Sequence, residues 1–389
     1  GEVIVEFDNF IPSDVGSLDN VLIHSTPSGV LLGRYYLAGA SVGNYALFAG
    51  GYDLAIRSSV DAYDTSLTRS NPTTLSAGRY GLAGASVGNY ALFAGGISSN
   101  SYSSVVDAYN TSLTRSIPTA LSASRSALAG ASVGNYVLFA GGHLGSNVAS
   151  NTVDAYNTSL TRSTPTALTE KKDTMAGASI GNYALFAGGY DGSGNYSSVV
   201  DAYNTSLTRS TPTALSVGRR WLAGASVGNY ALFAGGESGS DSYSSTVDAY
   251  NTSLTRSTPA VLSVARSTLV GASVGDYALF AGGIASAYYD TVDAYNTSLT
   301  RLTPTPLPAA RRELAGASVG DYALFAGGRG VSPVSRVDAY SVLMVRLYMP
   351  IGTKYKFGES EETATTNEIM VPVPITGYIK FRNGVIRNG

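Results

Sequence analysis

Leu222-Ala-Gly-Ala-Ser-Val-Gly-Asn-Tyr-Ala-Leu-Phe-Ala-Gly-Gly236 decides the fold, because the chain repeats it seven times with little change. Its closing Gly-Gly falls at Gly50-Gly51, Gly95-Gly96, Gly141-Gly142, Gly188-Gly189, Gly235-Gly236, Gly282-Gly283 and Gly327-Gly328. Successive copies are therefore 45, 46, 47, 47, 47 and 45 residues apart. A fixed period of this size, carrying one apolar pattern, marks a repeat architecture in which each unit buries its core against its neighbours.

One copy reads as four short strands. Leu222 to Val227 is a strand of small residues, and Gly228-Asn229 is a two-residue turn in which both residue types tolerate positive φ. Tyr230 to Ala234 is the second strand. A polar loop, Glu237 to Ser245, leads to the third strand, Thr246 to Tyr250. Asn251-Thr-Ser253 is a tight turn and Leu254 to Thr258 a fourth strand, before Pro259 leads toward Arg266 and the next copy. Four antiparallel strands joined by hairpins form one propeller blade. The first strand suits the innermost position, where strands crowd a channel, and a Leu or Phe at Gly224 or Ala225 is not expected to fit. A three-residue turn at Asn110 to Ser112 sets Asp107 opposite Arg115, a cross-strand charge pair repeated in each blade. Asn110, Asn157, Asn204, Asn251 and Asn296 match the glycosylation pattern Asn-Thr-Ser, but local Asx hydrogen bonding already explains an Asn repeated in a tight turn.

Composition excludes several classes. The 389 residues carry a net charge of −2, so no basic field argues for nucleic acid. With no cysteine, disulfide frameworks, thiolate metal sites and thiol catalysis are out, while the compartment stays open. No apolar run nears the roughly 18 residues of a membrane helix, and no membrane insertion is expected. The chain starts at Gly1 with no signal peptide, which is expected of a trimmed or partial chain whose export signal is missing. The 45 glycines and 27 tyrosines, with many Thr and Ser, favour turn-rich β structure.

The pattern Arg-x-x-Leu-Ala-Gly-Ala-x-Val-Gly-x-Tyr-Ala-x-Phe-Ala-Gly-Gly, followed by Ser-x-Val-Asp-Ala-Tyr, resembles the kelch repeat. The likeness covers residues 22 to 346 in seven in-phase copies. It implies an all-β fold, a seven-bladed kelch-like β-propeller, here with a small C-terminal β extension. One position departs: the fourth-strand Trp usual in kelch repeats is replaced by Ser116, Ser163, Ser210 and Ser257, which bears on blade-to-blade packing and not on topology.

The expected organisation is an N-terminal extension over 1–20, the propeller over 21–344 and a β-rich tail over 345–389. Val21 to Arg34 aligns with Ser253 to Arg266, so the chain begins the ring with a fourth strand. The favoured closure pairs Leu22 to Thr26 with the last blade and leaves no open edge. The alternative uses Met344 to Tyr348, with Arg346 in register with Arg301. In the tail, Lys354 to Phe357, Ile369 to Val373 and Gly377 to Phe381 read as strands, with Pro372 restricting the middle one to an edge. Glu359 to Thr363 reads as a loop. Val3 to Phe7 is a candidate to complete this module, and docking or oligomerisation through it is as plausible as packing.

The copies disagree at only two places. The turn between the first two strands is Gly-Asn or Gly-Asp throughout, and the turn before the fourth strand is Asn-Thr-Ser or Asp-Thr-Ser in six copies. The segments after Gly-Gly and before the first strand differ in every copy. In a four-stranded meander these two loops share one face, which predicts a binding surface there on a rigid scaffold. Kelch adaptors of ubiquitin ligases contact acidic peptides through arginines at the motif position held here by Arg34, Arg79, Arg125, Lys172, Arg219, Arg266 and Arg311. The resemblance makes these a candidate ring around the channel mouth for an anionic partner, Arg being suited to carboxylates. The competing reading has each bond a neighbouring blade's carbonyls. Tyr35, Tyr36, Tyr80 and Trp221 sit beside them and suit protein hot spots, sugar stacking or ordinary loop packing.

No catalytic set stands out. Copper radical oxidases on kelch-type propellers need Cys, Tyr and His at the metal, whereas this chain has no Cys and only His24 and His143. No sialidase Asp box and no Ser-His-Asp set is evident, and Tyr190 to Asn195 is only weakly like a calcium loop. No cofactor is expected. The expectation is a non-catalytic recognition module for a protein or glycan, acidic ligands included. Near-identical copies with Thr/Ser-rich β tails resemble kelch-repeat proteins of gut bacteria and their phages, which implies an extracellular, cell-surface or virion-associated adhesin. The alternatives are a spacer without ligand and the ancillary domain of a glycan-acting enzyme.

Overall fold

The computed structural model describes residues 22–99 and 101–342, and strand backbone within 2–4, 344–348, 354–357, 360–363, 368–372 and 380–382. By mutual contacts the chain divides into His24–Tyr340 and a second unit of Gly1–Ile23 with Ser341–Gly389. No described residue is α-helical. Residues 22–342 hold seven four-stranded antiparallel sheets, six of them in simple meander order, forming a seven-bladed β-propeller. Blade 5 is typical: Ala223–Val227, Tyr230–Ala234, Val247–Asn251 and Arg256–Ser257. The fourth strand is only two residues long, shorter than its sequence indicates. Blade 7 comprises Ala315–Val319, Tyr322–Ala326 and Val337–Val342, with Leu22–Ser25 as its outer strand. Closure therefore uses the N-terminal strand. The competing candidate, Met344–Tyr348, instead pairs with Glu368–Pro372.

Residue size sets the inner ring. Gly224 lies so close to blade 4 that a Cβ there would sit 2.3 Å from the Gly177 carbonyl oxygen. Ser226 then ties the strands together, its hydroxyl donating to the Ser179 carbonyl at 2.5 Å, and Ser273 repeats the contact on Ser226 at 2.6 Å. Across the seam between last and first blades, Ser41 donates to the Ser318 carbonyl at 2.6 Å. Gly, Ala and Ser of all seven inner strands line an axial cavity of about 260 Å³.

Between blades the core is aromatic against aliphatic. Phe233 and Tyr250 meet edge to face at 6.0 Å and pack on Ala176, Ala178, Ile180 and Leu185 of the preceding blade. The Tyr250 hydroxyl donates to the Thr213 carbonyl at 2.7 Å, so this buried phenol keeps its hydrogen bond. A third-strand tyrosine thus fills the interblade space, and Ser257 at the outer position is exposed. Leu254, held at φ +60°, closes the same cluster.

Two details of the turns differ from expectation. In Gly228-Asn229 only the glycine takes positive φ, +48°, as a type II′ turn requires. The third-to-fourth turn is longer than three residues: Asn110 Oδ1 accepts from the Ser112 and Thr114 amides at 3.0 and 2.9 Å, an Asx arrangement. That length moves the register, so Arg115 faces Tyr109 and reaches Asp107 only diagonally, at 3.8 Å. The glycine turn of one blade rests on the Thr of the next blade's Asx turn, as Gly43 does on Thr111.

In the second unit, Lys354–Phe357 pairs with Ser360–Thr363, so the stretch expected to be a loop is half of a hairpin. Glu2–Ile4 pairs with Lys380–Arg382, joining the two chain ends as the sequence indicates. Residues 5–7, 373 and 377–379 lie outside the described residues.

Candidate functional site

The seven basic residues do not face a ligand. Arg34, Arg79, Arg125, Lys172, Arg219, Arg266 and Arg311 are all 0% exposed, each against a third-strand aspartate of its own blade. Arg34 shows the geometry. Its Nη2 donates to Asp61 at 2.7 Å and to the Phe48 carbonyl at 3.1 Å, and its Nε donates to the Gly50 carbonyl at 2.7 Å. It therefore bolts the loop before the first strand to strands two and three of the same blade. The same aspartates meet a second, half-buried base from the fourth strand, Arg256 for Asp248 and His24 for Asp338. Burial pulls the pKa of Arg219 and Lys172 down while Asp248 and Asp201 oppose that shift. The expected anion-binding ring is thus corrected: these side chains are structural, because a fully buried, paired guanidinium has no free face for a ligand. Their backbone links blades, since the Arg266 carbonyl accepts the Gly236 amide at 2.9 Å and the Arg34 carbonyl the Gly328 amide at 2.8 Å.

Two residues further on, the chain builds a rim that residue types alone do not reveal. Tyr36, Gly81, Ala127, Thr174, Trp221, Thr268 and Glu313 all take φ between +50° and +63°. Each amide donates to the carbonyl of the corresponding residue in the preceding blade: Gly81 to Tyr36 at 2.9 Å, Trp221 to Thr174 at 2.9 Å, and Tyr36 to Glu313 at 3.1 Å. The hydrogen bonds close into a ring around the axis. Left-handed backbone costs a residue with a Cβ on the order of 1 kcal/mol or more, and β-branched residues are outliers there. Only Gly81 avoids that cost. The available signal was the contrast within each copy: this position varies while the Arg two residues before it and the Leu one residue after it scarcely do.

The two variable loops do share a face. Bridges join them in every blade, among them Tyr35 to Tyr52, Ser126 to His143 and Arg220 to Glu237. Three of the loops add short hairpins, such as His143–Gly145 with Val148–Ala149. Tyr36 and Trp221 are 42% and 37% exposed, and Tyr80 is half-buried. Burial, and then the Glu313 charge, push the Tyr36 phenol well above its ordinary pKa. Arg220 stacks on Trp221 with its guanidinium carbon 3.9 Å from the ring centroid, and approaches Tyr190 at 4.7 Å and Glu237 at 3.3 Å. His143 and Asp173, from adjacent blades, pair at 3.0 Å. The calcium-like loop closes on itself: Asp191 accepts from the Ser193 and Asn195 amides at 2.7 and 3.1 Å and from the Asn195 side chain at 2.6 Å. Among the described residues no cluster of three or more His, Cys, Asp or Glu could hold a metal. No protein-family model and no curated protein matches the chain.

Proposed function

We propose that this kelch-type propeller is a non-catalytic recognition module that binds a protein or glycan on its variable loop face, centred on the axial rim. The observation that carries this reading is the rim itself. Seven blades share one left-handed, hydrogen-bonded backbone there, glycine satisfies it at Gly81, and six blades nevertheless present Tyr, Ala, Thr, Trp, Thr and Glu. Side chains held at a conformational cost that the fold does not demand are what a ligand-reading surface on a rigid scaffold requires. The opposite face is uniform and its turns are satisfied internally by Asx bonds. Resemblance to surface and phage kelch proteins supports an adhesin at a cell surface or on a virion.

Glycan and protein arrays probed with the full chain test the reading. Binding should disappear when Tyr36→Ala and Trp221→Ala are combined, and persist when the uniform face is altered by Ser112→Lys and Ser253→Lys. Silence on both arrays, or loss of binding through the uniform face alone, overturns it.

A further inference from the structure

Resting on the recognition reading above, we infer that the ligand is a carboxylate-bearing glycan seated over a tyrosine quartet on blades 1 and 2. Tyr35, Tyr36, Tyr80 and Tyr52 form a closed cycle of ring contacts, with centroids 5.3, 6.3, 5.5 and 5.6 Å apart in turn. All four lie at the variable positions, where the other blades carry mostly non-aromatic residues, Tyr190 and Trp221 being the exceptions, and no other pair of adjacent blades brings four tyrosines to them. The rings pack on one another with Tyr36 exposed and Tyr35, Tyr52 and Tyr80 half-buried, a shared surface unlike the single buried anchor of a protein hot spot. They form instead an amphipathic platform of π faces and phenol hydroxyls, suited to the C–H face and hydroxyls of a pyranose.

Two neighbours define the platform's edges. On one side the rim drops to Gly81, where an added Cβ would meet nothing nearer than Ser126 Cβ at 3.9 Å. This is a notch beside Tyr36 and Tyr80, followed by another small rim residue, Ala127. On the other side the Arg329 guanidinium lies 5.2 Å from the Tyr35 centroid. The adjacent Arg312 is paired with Glu313 at 3.2 Å, whereas Arg329 has no carboxylate within 4.0 Å among the described residues. The platform therefore carries one uncompensated cation able to take a planar carboxylate in two parallel hydrogen bonds. An acidic peptide would satisfy Arg329 but not use the ring faces or the notch, so the sugar is the better match.

The test titrates the full chain with oligogalacturonides, hyaluronan fragments and sialyllactose, beside neutral cello- and malto-oligosaccharides and an acidic peptide panel. At least one carboxylated sugar should bind at least tenfold more tightly than every neutral one. Arg329→Gln should remove that preference, and Tyr36→Ala should weaken binding at least tenfold. Gly81→Thr should block the notch with similar loss while lowering the thermal midpoint by only about 2–5 °C, the cost of left-handed backbone that Thr174 and Thr268 already bear on the same rim. Trp221→Ala should leave affinity unchanged. Binding to none of these sugars, equal binding of neutral sugars, peptide binding in their place, or wild-type affinity in Tyr36→Ala and Gly81→Thr each overturns the inference. Loss on Trp221→Ala with Tyr36→Ala unaffected overturns it too but leaves the recognition reading standing, whereas failure of that reading shows as silence on every array.

Discussion

Raising the pH should unfold the propeller abruptly once it passes 10. Each blade buries one third-strand tyrosine: Tyr63, Tyr109, Tyr156, Tyr203, Tyr250, Tyr295 and Tyr340 are all 0% exposed. Every one donates its hydroxyl hydrogen to a backbone carbonyl at 2.7 or 2.8 Å. Ionisation would leave a phenolate facing that carbonyl in a dry site. Burial, and then the charge of the aspartate two residues earlier, accordingly hold each phenol above its ordinary pKa of 10.0. The unfolded chain titrates near the ordinary value. The native state thus keeps protons that the unfolded state loses, and this stability is fully present below pH 10 and drains as pH climbs toward the folded-state values. Each such group contributes about 1.4 kcal/mol per pH unit, so seven contribute about 9–10 kcal/mol per unit. Lys172, Arg79, Arg125, Arg219 and Arg266 act in the opposite sense, because burial lowers their pKa, but the arginines start from a much higher ordinary value and Lys172 moves only one proton. Against a typical stability of about 5–15 kcal/mol, the fold should be lost within roughly one and a half units above pH 10. Guanidinium chloride melts followed by circular dichroism from pH 8 to 11, with tyrosinate absorbance recorded in parallel, measure the slope. Buried phenols titrating below pH 10.5 in a still-folded protein, or a slope under about 3 kcal/mol per unit, refute the reasoning.

Three further outcomes follow from the ring. Asp248→Ala strands the Arg219 guanidinium and should cost about 3–5 kcal/mol, while combining it with Arg219→Met recovers much of the loss; additivity in the double-mutant cycle would show the pair is uncoupled. Gly224→Ala forces a Cβ toward the Gly177 oxygen and should cost about 1–3 kcal/mol in chemical denaturation, whereas Ala225→Gly should cost less than about 2. Deleting residues 1–26 removes the outer strand of blade 7 and the His24–Asp338 contact at 2.8 Å; an unchanged thermal midpoint would contradict closure through that strand.

The blades were legible because a 45- to 47-residue period, small first strands and glycine turns leave few other ways to bury seven similar apolar faces. Closure was legible from Val21 to Arg34 aligning with a fourth strand. The site was read one step off. A residue repeated in blade after blade, as Arg is, serves what the blades have in common. Its partner is the equally constant Asp of Val-Asp-Ala-Tyr, 27 to 29 residues later. Arginine's usual exposure hid that pairing. The rim was missed for a different reason. Trp, Thr and Glu do not signal left-handed backbone, which here is imposed by the neighbouring blades through amide-to-carbonyl bonds that no single copy contains. Register in the Asx turn failed because Leu113 at φ +60° adds residues to what reads as a three-residue loop.

The outermost strand of the last sheet is also the first of the ring to be synthesised. Leu22–Ser25 must wait, unpartnered, until Val337–Val342 has emerged from the ribosome some three hundred residues later. In that interval six near-copies of its docking site appear in succession, each claimed at once by its own hairpin. Where those six carry an arginine to meet the aspartate, the late arrival carries His24. The nascent chain therefore tells its end from its middle by an imidazole in place of a guanidinium, by Ile23 where the others have Thr, and by an unoccupied edge. Crowded translation of this protein is where exchange of blades between sister chains is to be looked for.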